Sequence, residues 1–104
     1  MLYGSMTPEE LRTRTKRFAA RIIRMHSALP RTPAARIIGD QVLRSATSVG
    51  ANYRAACRAR SRAEFIAKLG IVVEEAEETV YWLESSGQRN REGEQNARAA
   101  KRSD

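Results

Sequence analysis

Apolar positions recur at three- and four-residue intervals over three stretches of this chain, and each stretch predicts an amphipathic helix. In the first, Leu11, Thr15, Phe18, Ile22 and Met25 follow a 4-3-4-3 spacing, widened by Ala19 and Ile23. The opposite face carries Arg12, Arg14, Lys16, Arg17, Arg21 and Arg24. Thr7 is placed to cap this helix, with Pro8 at the first helical position and Glu10 three residues after the cap, as a capping box requires. Met6 and Leu11 have the spacing of a hydrophobic staple. Pro30 closes the helix, because the residue before a proline is pushed out of the α region.

The second stretch opens with Thr32-Pro33, again a cap followed by a proline. Ile38, Val42, Ser45, Val49, Asn52 and Ala56 form its line, flanked by Ile37, Leu43, Ala46 and Ala55. The line is built of small residues, and Gly39 and Gly50 lie within the helix. Each costs about 1 kcal/mol relative to alanine, so close approach by a neighbouring helix is the expected compensation. The third stretch starts at the capping box Ser61-Arg62-Ala63-Glu64. Phe65, Leu69, Val72, Ala76, Thr79 and Leu83 make one line, and Ile66, Val73 and Val80 a parallel one, a face broad enough for two neighbours. The short turn around residues 58–60 folds this helix back antiparallel on the second.

After Leu83 the pattern stops. Residues 87–104 offer only Ala97, Ala99 and Ala100 as apolar side chains. The predicted organisation is therefore an all-α, up-and-down antiparallel bundle over residues 1–86 with three clear helices. The fourth is degenerate or missing, and residues 87–104 form a polar, mobile tail in which local helicity is as plausible as its absence.

Composition narrows the function. At 104 residues the chain forms one domain. Its 19 Lys and Arg against 12 Asp and Glu give a formal charge of +7, which favours polyanions or an acidic protein surface as partners. The single cysteine, Cys57, excludes an intramolecular disulfide. No apolar run approaches the ~20 residues of a membrane span, and residues 1–5 lack a signal-peptide pattern. A soluble, cytoplasmic protein is expected.

The charge is also segregated. Between Leu11 and Ala63 thirteen basic residues accompany one acid, Asp40, whereas Glu64, Glu74, Glu75, Glu77, Glu78 and Glu84 of the third helix face only Lys68. Like charges at i,i+4, such as Glu74 and Glu78, repel by about 0.2–0.5 kcal/mol, which arginines from another helix or subunit could offset. The candidate nucleic-acid contacts are the remaining arginines: Arg14, Arg17, Arg21 and Arg24 on the first helix, with Arg54, Arg58, Arg60 and Arg62 at the hairpin end. Guanidinium groups fork onto phosphate and stack on bases, which suits RNA. The alternative is that they only solvate the surface.

No catalytic constellation emerges. His26, the one histidine, sits in the last turn of the first helix, where a cation suits the helix dipole. Cys57 reads as a small packing residue. Glu74 to Glu78 lacks the Glu-x-x-His pairs of a di-metal carboxylate bundle, so no metal and no cofactor are expected. Arg44, Ser48 and Asn52, at i, i+4 and i+8, read as buried or half-buried polar groups that fix helix register. Tyr81 and Trp82 suggest packing at the bundle's end, although Tyr53 and Trp82 could stack on a base if exposed.

The run from Arg44-Ser-Ala-Thr-Ser through Asn52-Tyr-Arg to Ser61, continuing by Glu64-Phe65-Ile66 and Glu74-Glu75-Ala76 to Trp82-Leu83, resembles the bacterial four-helix-bundle family also described as proteins encoded in intervening sequences of large-subunit ribosomal RNA genes. Arg44, Ser48, Asn52, Phe65 and Trp82 are the motif positions. The resemblance implies an up-and-down bundle that assembles into a homopentamer. One relative, the accessory variability protein of diversity-generating retroelements, binds nucleic acid and a reverse transcriptase through a basic surface. The family pattern continues past Trp-Leu into a fourth amphipathic helix; here Ser85-Ser86-Gly87 leads into polar sequence. The expectation is a non-enzymatic, self-associating protein that binds RNA or another nucleic acid. The alternative is a structural or adaptor module with a protein partner.

Overall fold

The computed structural model describes the backbone of residues 6–102, with the side chains of residues 6–87 and of Arg98 and Ala99. The signal-peptide expectation falls on residues 1–5, outside the described residues, as do most side chains of the expected tail. Three helices follow one another: α1 (Pro8–Ser27), α2 (Pro33–Cys57) and α3 (Arg62–Arg102). The molecule is an all-α helical bundle, and no strand occurs among the described residues.

The helix starts lie where the sequence predicts, and the first carries the full capping box. Thr7 accepts from the Glu10 backbone at 3.1 Å, and the Glu10 carboxylate accepts from the Thr7 backbone at 3.3 Å, completing the capping box. Thr32 caps α2 through the Ala35 backbone N–H at 3.2 Å. Ser61 caps α3 by accepting from Glu64 N–H at 3.1 Å. α1 ends at Ser27, three residues before Pro30.

α2 is the spine. α1 and α3 each pack against it, and no Cα of α1 approaches within 8 Å of one in α3. The core is Ile22 of α1 with Val42 and Ala46 of α2, covered by Phe18, Ile38, Leu43, Trp82 and Leu83. Both α2 glycines lie under α1 and its following loop: a Cβ at Gly39 would overlap Leu29 Cδ1, and one at Gly50 would stand 3.2 Å from Thr15 Oγ1. The missing side chains thus let the helices close, as the small-residue line suggests.

Three expectations need correction. The buried line of α2 runs through Gly39, Val42, Ser45, Ala46, Gly50, Tyr53 and Ala56, so Ala46 and Tyr53 lie in the core while Ile37 is exposed. Ile23 and Met25 of α1 are also exposed, because only one helix covers α1 and its apolar stripe is wider than that contact. The parallel α3 line Ile66, Val73 and Val80 faces water, its second neighbour being absent from the chain's own fold. α3 itself runs on without a break through Gly87 to Arg102. At about 1.5 Å per residue, its 41 residues account for the 65 Å long dimension of the molecule.

Candidate nucleic-acid interface

An α-helix turns 100° per residue, so side chains at intervals of three and four share one face. Arg14, Arg17, Arg21 and Arg24 are spaced 3-4-3 and form such a stripe along α1, about 15 Å long and displaced from the Phe18–Ile22 contact with α2. All four are exposed. Arg54, Arg58, Arg60 and Arg62 cluster at the α2–α3 hairpin and are likewise exposed. Arg54 also borders a cleft of 270 Å³ lined by Thr15, Lys16, Ala19, Thr47, Gly50 and Ala51, which links the hairpin end to α1. Among the described residues none of these eight guanidinium groups has a carboxylate within ion-pair distance; the pairs present are Arg44 with Glu75 and Glu78, and His26 with Asp40.

The side chain of Arg44 is 47% exposed, leaving about half of it covered. It does connect helices: Nη1 donates to Glu75 Oε2 at 3.2 Å, Nη2 donates to Glu78 Oε1, and Nε donates to Gln41 Oε1 at 3.2 Å. Hydrogen bonding by Arg44, followed by that of Trp82, holds the Glu78 carboxyl below its ordinary value. The hydrogen bond to Glu78 is likewise the main reason the Arg44 guanidinium lies above its own. One arginine from the basic half of the chain thereby offsets crowding in the acidic half. Ser48 and Asn52 bond only within α2, donating to the carbonyls of Arg44 and Ser48, so neither fixes inter-helix register.

Arg44 shares the inter-helix contact with a pair not singled out from the sequence. Ser45 and Thr79, 0% and 2% exposed, place their hydroxyl oxygens 2.9 Å apart across α2 and α3. Each also reaches a carbonyl of its own helix, Gln41 at 2.8 Å and Glu75 at 2.7 Å. The signal was available: each is a hydroxyl residue within a mostly apolar line.

Burial removes Tyr53 from base stacking, whereas Trp82 is half-buried. Tyr53 is buried, and burial, followed by the neighbouring Cys57 thiol, pushes the phenol above its ordinary value. Trp82 packs on the core, and its indole N–H donates to Glu78 at 3.2 Å. Phe65 remains partly exposed near the start of α3. His26 Nε2 lies 2.8 Å from Asp40 Oδ1 and joins α1 to α2. The two line a 370 Å³ cleft with Arg31 and Arg36. Cys57 is exposed rather than packed. No group of three or more His, Cys, Asp or Glu is placed to hold a metal ion among the described residues, and no described helix is long and apolar enough to cross a membrane.

With this geometry in place, the comparisons decide the kinship. The profile of the 23S rRNA-intervening sequence protein family matches residues 10–102. The chain belongs to that family. It is similar to a crystal structure, determined at 1.70 Å, of a protein of unknown function from the S23 ribosomal protein family of Bacteroides thetaiotaomicron VPI-5482. The two are 40% identical with a TM-score of 0.75, over 81% of this chain and 75% of the other. No curated protein matches the chain. Family membership fixes the helical architecture, and neither relation carries any indication of catalysis.

Proposed function

We propose that this protein is a non-catalytic, self-associating helical bundle that binds RNA through Arg14, Arg17, Arg21 and Arg24 on α1 and Arg54, Arg58, Arg60 and Arg62 at the hairpin end. One observation carries the reading: these eight guanidinium groups are exposed and have no carboxylate partner among the described residues, whereas Arg44, at the α2–α3 contact, has two. Positive charge left uncompensated on an outer face attracts a phosphate backbone, and arginine suits it by bidentate bonding and stacking. The family's connection with ribosomal RNA genes makes RNA the first polyanion to test.

The test is binding of a labelled single-stranded RNA across a salt series. Neutralising four to eight phosphates predicts a log–log slope of about −3 to −6; an affinity that does not change with salt contradicts the proposal. The uncovered edge of α3 favours a second reading, a structural or adaptor module with a protein partner. Retention of a partner after nuclease treatment, with no affinity for RNA, would decide for it.

A further inference from the structure

At the end of the bundle opposite the hairpin, a second group of basic residues lines a cleft of 370 Å³. His26 enters it from the end of α1, Leu29, Pro30 and Arg31 from the following loop, and Arg36 and Asp40 from the first turns of α2. The absence of a side chain at Gly39 makes room there for Leu29. The lining thus combines apolar surface with two guanidinium groups, the make-up of a small-molecule site. Its volume falls at the lower end of the ~300–1,000 Å³ usual for one.

The charges decide what the cleft takes. Arg36 precedes Asp40 by four residues, the spacing of an ion pair along one helix. Yet Asp40 turns to α1, where its Oδ1 lies 2.8 Å from His26 Nε2. Arg31 and Arg36 are left without a carboxylate in ion-pair distance among the described residues. Two unpaired guanidinium groups on one small cavity suit a ligand with two negative charges. A phosphate monoester carries about −1.5 to −2 at pH 7 and offers three acceptor oxygens, which arginine meets bidentately. A backbone phosphodiester brings only one charge. The part of the cleft against Leu29 and Pro30 is left for the organic portion of the ester.

We infer that this cleft binds a phosphate monoester of nucleotide size, with Arg31 and Arg36 on the phosphate and Leu29 and Pro30 against the attached group. His26 acts on the ligand through Asp40, by occupying the carboxylate that would otherwise repel it. The site shares no residue with the eight arginines proposed to hold RNA, so it stands or falls separately from them. A free nucleotide and the 5′-phosphate of an RNA end both present this chemistry, and the test distinguishes them.

The full chain is titrated calorimetrically with AMP, adenosine and inorganic phosphate, and with one short RNA carrying either a 5′-phosphate or a 5′-hydroxyl. AMP should bind at least about tenfold tighter than adenosine or inorganic phosphate. Arg31→Gln and Arg36→Gln, both at exposed positions, should keep the wild-type circular dichroism. Each should lose about tenfold in AMP affinity. His26→Ala should weaken AMP binding about threefold by freeing Asp40. Adding Asp40→Ala should restore it, a rescue that a merely structural pair would not give, and its absence overturns the part assigned to His26. A preference of the RNA for its 5′-phosphate form, retained with Arg14, Arg17, Arg21 and Arg24 changed to Gln, assigns the RNA end as the source. AMP binding without that preference assigns the free nucleotide. Equal binding of AMP and adenosine, inorganic phosphate binding as tightly as AMP, or undiminished AMP affinity in both arginine variants overturns the site.

Discussion

At the scale of residues, Arg44 is where charge segregated along the sequence is brought together in space. Its bonds to Glu75 and Glu78 set a pH dependence whose sign follows from Glu78. A carboxyl held below its unfolded value contributes stability above that value, ordinarily near 4.5, and loses it as the pH falls through the lower folded value. Urea unfolding of Glu78→Gln should therefore show a flatter decline below about pH 4.5 than wild type. The Ser45–Thr79 bridge yields a second expectation. Thr79→Val removes one hydroxyl from a buried pair while Ser45 keeps the Gln41 carbonyl, so the loss should be about 1 kcal/mol in the same assay. An unchanged midpoint would mean that the bridge specifies register without stabilising it.

At the scale of elements, three mid-helix glycines test how the helices meet. Alanine gains about 1 kcal/mol of helix propensity over glycine at each. At Gly50 that gain is opposed by Thr15, a stiff β-branched side chain hydrogen-bonded to the carbonyls of Leu11 and Arg12. Gly50→Ala should destabilise by about 1 kcal/mol net, through overpacking. At Gly39 the obstacle is the end of the Leu29 side chain, which can swing aside, and the change should be smaller. At Gly70 there is no obstacle, and Gly70→Ala should raise the stability of the dilute protein by up to about 1 kcal/mol. Thermal melts of the three variants side by side check this ordering.

These elements were legible because their signals are local: two proline-preceding caps, a capping box and apolar spacing marked the starts of all three helices. What was less legible depends on tertiary neighbours. Tyr53 and Ile37 are both apolar residues near one stripe, yet one is buried and the other exposed. The exposure of Arg14, Arg17, Arg21 and Arg24 followed from the helix pattern, whereas the pairing of His26 with Asp40 and of Ser45 with Thr79 required the inter-helix register.

At the scale of the whole molecule, a central helix flanked by two others leaves one basic outer face on α1 and one apolar edge on α3. The two surfaces are separate, so RNA contact and any contact made through α3 should be separable by mutation. The most direct measurement of the central claim is the RNA affinity of a variant with Arg14, Arg17, Arg21 and Arg24 all changed to Gln, followed across salt. Helix content and oligomeric mass should be unchanged, because none of the four has a carboxylate partner among the described residues. The affinity should fall steeply at low salt, and the log–log slope should become shallower by about 3, or 0.7 per lost phosphate contact. Wild-type affinity and slope in that variant would show that the α1 stripe does not hold RNA.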